Sequence, residues 1–201
     1  NMQRYFMIGT DTDCGKTYVT CELLKRATNT VAIKPIESGG TSDADRLAKY
    51  QPHYTKPLSL YNFEPAISPH LAAQSADQTI TFDALDKFCD MQDYSSYQTL
   101  LIETTGGIMC PLNHTHTWLD YLVHAKASVI FVVGLRLGCL NHALLTALAL
   151  QTHGIPCAGW IANICDPNMA YLQENIETLK KKLPYQHLET VAFNREACPV
   201  F

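Results

Sequence analysis

The chain has 201 residues, 47% of them hydrophobic and 17% charged, with a formal net charge of −4. Such a chain has ample apolar material for one folded domain, read here as residues 2–201 with Asn1 set aside, and it is not a disordered one. The acidic balance argues against nucleic-acid and anionic-membrane partners, and the longest apolar stretch, Ala127 to Leu135, is too short to span a bilayer.

The first apolar run, Tyr5 to Ile8, predicts a strand. Gly9-Thr10-Asp11-Thr12-Asp13-Cys14-Gly15-Lys16-Thr17 follows, and a helical pattern runs from Thr17 to Arg26. A strand, a Gly-bounded loop and a helix opening on Gly-Lys-Thr form a phosphate-binding loop, whose inward N–H groups cradle phosphate oxygens. The helix N-terminus adds partial positive charge at the same place. Lys16 is expected to reach the outer phosphates and the Thr17 hydroxyl to ligate Mg²⁺. The loop is one residue longer than the common pattern.

Further apolar, β-branched runs predict strands at Thr30–Ile33, Thr99–Ile102, Ser128–Val133, Cys157–Ile164 and, weakly, Leu188–Phe193. Helical spacing appears in Phe82, Leu85, Phe88 and Cys89, in Leu140, Leu144, Ala147 and Leu148, and in Leu172, Ile176, Leu179 and Leu183. This alternation predicts an α/β fold: a phosphate-loop three-layer sandwich with a mostly parallel sheet of about seven strands, covered by helices on both faces. Ligands then gather at the carboxyl ends of the strands.

Those ends carry the polar residues. Lys34, stopped by Pro35, is either a surface lysine or a second cation for phosphoryl transfer. Asp43 and Asp45, in Thr41-Ser42-Asp43-Ala44-Asp45-Arg46, are either helix caps or Mg²⁺ ligands. Glu103 ends a hydrophobic strand, where a carboxylate for a nucleotide-bound metal belongs, and Gly106 and Gly107 permit close backbone approach. Gly138 and Cys139 open a helix whose N–H groups suit a carboxylate or phosphate, or form a plain turn. Lys180-Lys181-Lys182 is expected to be a solvated helix end. His114 and His116 lack further metal ligands and are expected in a solvated loop. Eight cysteines without a Cys-x-x-Cys pair read as reduced thiols of a cytoplasmic protein without a secretory signal.

Taken in order, these pieces resemble the dethiobiotin synthetase family. They are Gly-Thr-Asp-Thr-x-x-Gly-Lys-Thr, Lys-Pro-x-x-Ser-Gly, a helix-start Asp, Ser68-Pro69-His70, the strand-end Glu, Val-Gly-x-x-Leu-Gly-Cys-x-Asn-His, and Gly159-Trp160-x-Ala162-Asn163. The likeness runs from about Tyr5 to Asn163. It implies a homodimeric enzyme that makes dethiobiotin from 7,8-diaminopelargonic acid, CO₂ and ATP with Mg²⁺, through a carbamate and a carbamic-phosphoric anhydride. By matching positions it implies Thr12, Lys16 and Lys34 for catalysis, and Thr17, Asp45 and Glu103 for Mg²⁺. Asp45 is preferred to Asp43 because Asp45-Arg46-Leu47-Ala48 fits the family pattern. Asp13, Cys14, Gly15, Lys16, Thr17, Tyr18, Glu103 and Asn163 are implied for the nucleotide, Asn163 at adenine. Ser38, Gly106, Gly107 and Gly138, Cys139, Leu140, Asn141 are implied for the substrate, the last four across a subunit boundary. Two departures stand out. Thr104 and Thr105 replace small residues before the Gly pair, and the weak last strand lacks a usual Pro. An alternative on the same fold is a nucleotide-switch ATPase of the ParA/MinD-like partitioning and septum-placing group.

Overall fold

Continuous β-branched and aromatic runs dictate the centre of the molecule, a computed structural model that describes residues 1–195. Strand β1 (Gln3–Gly9) buries Phe6, Met7 and Ile8 completely, and β6 (Val129–Leu135) is buried along its whole length. Such runs sit only inside a sheet covered on both sides. With β2 (Thr30–Ile33), β5 (Thr99–Gly107), β7 (Cys157–Ile164) and β8 (His187–Val191) they form one sheet, ordered β2-β5-β1-β6-β7-β8. Every neighbouring pair is parallel.

Among the described residues the sheet has six strands where about seven were expected. A polypeptide leaving β2 meets Pro35, which has no N–H to donate and cannot continue a ladder. The next strand, β3 (Ile36–Ser38), pairs instead with β4 (Tyr61–Phe63) in a separate two-stranded sheet.

Helices fill the crossovers: α1 (Lys16–Arg26), α2 (Ser42–Lys49), α3 (Pro69–Ser75), α4 (Phe82–Phe88), α5 (Trp118–His124), α6 (Cys139–Thr152) and α7 (Leu172–Lys182). Helix α1 packs on β1, β2 and β5 and against α2, and α6 packs on β6 and against α7. The strand order steps one way from β1 to β2 and the other way from β6 to β8, so right-handed crossovers put helices on both faces. The sheet order reverses around β1. Its carboxyl end, between those of β5 and β6, is where such a fold opens a crevice.

The expectation of reduced thiols holds for Cys14, Cys21, Cys89, Cys110, Cys139 and Cys157, which are free. It is corrected at Cys165, which is disulfide-bonded. Cys198 lies outside the described residues. No described helix is long and apolar enough to cross a membrane.

Candidate active site

The loop between β1 and α1 is keyed into the sheet. Cys14 is fully buried, and it sits against two positions that carry no side chain. A Cβ on Gly9 would stand 2.3 Å from the Cys14 sulfur, and one on Gly134 would stand 2.9 Å from the Cys14 Cβ. Both are closer than real Cβ atoms come, so a side chain at either position would force Cys14 to shift. Asn163 Nδ2 donates to the Cys14 carbonyl at 2.9 Å, and the Gly134 N–H donates to Thr10 Oγ1 at 3.2 Å. Arg136 donates to the Thr12 carbonyl at 3.0 Å. Gly15 takes a left-handed backbone (φ 90°) as the N-cap of α1, which frees the first N–H groups of that helix to face the crevice.

A cavity of about 350 Å³ opens in front of the loop. Thr12, Asp13, Gly15, Lys16, Thr17 and Tyr18 line it from the loop and α1. Lys34, Ser38, Glu103, Thr105 and Gly106 line it from the strand ends, and Ser42, Asp43 and Arg46 from α2. The Lys16 ammonium donates to the carbonyls of Gly106 at 3.0 Å and Asp11 at 3.3 Å. Thr17 Oγ1 donates to Glu103 Oε1 at 2.5 Å. Lys34 is buried, with its ammonium 2.5 Å from Asp43 Oδ2 and 3.4 Å from Glu103 Oε1. Burial alone would lower the Lys34 ammonium, but the carboxylates of Glu103 and Asp43 outweigh it and hold Lys34 above the ordinary lysine value. Burial would raise Asp43; Lys34 reverses that and holds it below the ordinary value. For Glu37, burial wins over two backbone hydrogen bonds and pushes the carboxyl up.

The donor set fits Mg²⁺. Glu103 Oε2 is buried and has no hydrogen-bond partner among the described residues, and Ser38 Oγ is in the same condition. Among the described residues there is no group of three or more His, Cys, Asp or Glu placed to hold a metal. Two carboxylates and a hydroxyl are hard oxygen donors, few in number, as Mg²⁺ prefers when phosphate and water complete its shell.

The structure brings together Thr12, Asp13, Gly15, Lys16, Thr17, Tyr18, Lys34, Ser38, Glu103 and Gly106. It does not bring Asp45 there. On a helix, residues two apart point about 200° from each other. Asp43 faces the cavity, while Asp45 is exposed and accepts from Thr41 Oγ1 at 3.0 Å. The α2 carboxylate that lines the cavity is that of Asp43, where Asp45 was expected. Asn163 is fully buried, and its side chain holds the loop from behind rather than lining the cavity. Gly107 lines a second, smaller cavity of about 200 Å³ with Ile108, Met109, His142 and Leu145. Gly138, Cys139, Leu140 and Asn141 lie at the N-terminal end of α6, away from both cavities, beside Leu137 at 94% exposure.

Thr104 and Thr105 turn their hydroxyls to the protein. Thr104 donates to the Met7 carbonyl at 3.0 Å and Thr105 to the Ile36 carbonyl at 2.6 Å. The cavity-lining residues that sequence reasoning left unassigned are Ser42, Arg46 and Thr105, and Asp43 was named there but passed over for Asp45. The spacing Asp43-x-x-Arg46 was a usable signal, because residues three apart share a helix face.

A family model described as an AAA domain matches residues 3–197. The ATP-dependent dethiobiotin synthetase BioD of Legionella pneumophila (strain Corby) is 43% identical over 192 residues, covering 92% of this chain and 91% of that protein. The ATP-dependent dethiobiotin synthetase BioD of Pseudoalteromonas translucida (strain TAC 125) is 37% identical, covering 97% of this chain and 92% of its own length. A crystal structure of a ParA family ATPase from Chlorobium tepidum TLS superposes with a TM-score of 0.57 at 12% identity, over 97% of this chain and 86% of that one. At that identity the likeness concerns the fold alone.

Proposed function

The chain belongs to the dethiobiotin synthetase family, and we propose that it condenses 7,8-diaminopelargonic acid with CO₂ at the expense of ATP to give dethiobiotin, ADP and phosphate. The observation that carries this reading is the convergence of Lys16, Lys34, Thr17, Asp43 and Glu103 on one cavity at the strand ends. The loop N–H groups and Lys16 bind and orient the phosphates. Lys34 lies where a carbamate oxygen meets the transferring phosphoryl group, and its charge offsets the negative charge that builds up there. Ser38, whose hydroxyl has no partner among the described residues, is suited to hold the carbamate. Thr17, Asp43 and Glu103 would hold Mg²⁺, which supplies further charge neutralisation when bound. Asp43, rather than Asp45, is assigned that place.

A homodimer goes with this reading. Leu137, Leu145, Leu148 and Met109 leave 94%, 56%, 60% and 62% of their surfaces exposed on and beside α6, and a second copy would cover them. The α6 N-terminus could then meet the tail carboxylate of a substrate bound by the partner. A cytoplasmic location and a single domain over 2–201 complete the reading. No observation favours the switch-ATPase alternative beyond the shared fold.

The decisive assay is phosphate release from Mg-ATP with bicarbonate, with and without the diamine. The expected result is release that requires the diamine and is abolished in Lys16→Ala and Lys34→Ala. Slow release indifferent to the diamine would sink the ligase reading.

A further inference from the structure

Asp43 faces the cavity from the first turn of α2, a helix that also packs on α1 and β2 through buried Leu47. The helix's own N-cap residue, Thr41, makes no side-chain cap, and its hydroxyl is turned to Asp45 instead. Two N–H groups of the first turn are taken by a residue from another element. Glu37, on β3, accepts from the Asp43 N–H through Oε1 at 2.8 Å and from the Ala44 N–H through Oε2 at 3.1 Å. Both carboxylate oxygens are committed, and the residue is 2% exposed.

Glu37 is itself fixed from the other side. The Thr105 hydroxyl holds the preceding carbonyl, that of Ile36, at 2.6 Å, and the N–H groups of Leu60 and Tyr61 both donate to the Pro35 carbonyl at 2.9 Å. A continuous path thus runs from β5 through β3 to α2. A serine or threonine cap would satisfy one N–H at far smaller desolvation cost than a buried carboxylate. What the carboxylate adds is a two-point grip, which fixes direction as well as distance.

We propose that Glu37 is a positioning residue that clamps the first turn of α2 so that Asp43 stands over Lys34 in the cavity, and that divalent-cation binding depends on this clamp. The inference rests on the metal role given above to Asp43. Partners that orient a metal-binding carboxylate are worth about 10–100-fold in metal affinity.

The test uses the full chain with Mn²⁺ and a non-hydrolysable ATP analogue, read as water-proton relaxation enhancement by the ternary complex. Glu37→Gln keeps the shape and one acceptor, and it is expected to weaken Mn²⁺ binding about 10-fold; Glu37→Ala, which removes both acceptors, should approach 100-fold. The double variant Glu37→Gln/Asp43→Asn should bind no more weakly than Asp43→Asn alone, because the two residues act on one ligand. If the Ala variant fails to fold, the near-isosteric Gln variant decides. Mn²⁺ affinity in Glu37→Gln within about twofold of the parent, or losses that add in the double variant, would overturn the clamp and leave the proposed function standing. A parent chain that forms no ternary complex would overturn the proposed function, and the clamp with it.

Discussion

Replacing Lys34 by Met keeps the stem and removes the charge, leaving Asp43 and Glu103 facing one another in a mostly closed site. At an effective dielectric of about 20, contacts of 2.5 and 3.4 Å correspond to gross attractions of about 6–7 and about 5 kcal/mol. Desolvation offsets most of that, and breaking a buried pair by removing one partner costs about 3–5 kcal/mol. Asp43 keeps 31% of its side chain exposed, so the low end applies. A loss of about 3 kcal/mol lowers Tm by about 6–12 °C in a domain of this size. The signs of the pH dependence follow from the two partners. Lys34 stands above its ordinary 10.5, so its contribution is complete below that pH and is lost as pH rises through the folded value. Asp43 stands below its ordinary 3.8, so its contribution is complete above 3.8 and is lost as pH falls through the folded value. The Tm difference between parent and variant should therefore hold from about pH 7 to 9 and shrink in acid, where the variant's facing carboxylates take up a proton. Calorimetry in metal-free buffer measures it. Mg²⁺ should restore part of the variant's stability by offsetting the charge of the carboxylates. A variant with the parent's Tm throughout would refute the buried ion triad.

Other outcomes test neighbouring features. Asp43→Asn should cut diamine-dependent turnover by about 10²–10³-fold and weaken Mg²⁺ activation, whereas Asp45→Asn should leave both intact. Its only expected cost is a few tenths to about 1 kcal/mol at the helix start, seen in chemical denaturation. Gly134→Ala should destabilise by about 1–3 kcal/mol and raise KM for ATP, because the new methyl meets Cys14. Thr104→Val removes a buried hydrogen bond to the Met7 carbonyl, and urea unfolding should report a loss of about 1–3 kcal/mol. Burial pushes the thiol of Cys21 to about 11, that of Cys157 to about 11 and that of Cys89 to about 12. Few of these groups are thiolates at pH 8, so a thiol reagent should modify them only after denaturant is added.

Continuous apolar strands were legible, two of them to the residue, while the ends of β1, β6 and β8 differ by one or two residues. Thr30–Ile33 and Cys157–Ile164 form strands with the bounds that their β-branched runs suggested. The strand at Thr99 was legible only to Glu103, yet β5 continues to Gly107, because the Thr104 and Thr105 hydroxyls bond backbone carbonyls of neighbouring segments. Such ties leave no local pattern. Which of Asp43 and Asp45 faces the cavity was not legible for a similar reason. Both suit a helix start, and which one faces the cavity depends on the rotation of α2, set by Glu37 from a strand that the apolar pattern did not reveal. Short helices such as α3 and α5 have too few turns to show a period, although the capping box of Thr117 and Asp120 marks the start of α5.

The sulfur of Cys14, seated between Gly9 and Gly134, settles when the phosphate loop is ordered. A glycine-bounded loop left to itself would lose its conformational freedom at the moment of nucleotide capture, and that loss would be subtracted from affinity. Here the loss falls on folding, where the whole core offsets it. Nucleotide should therefore meet a loop already in place, and capture should follow a single diffusive phase with no slower step of loop ordering behind it.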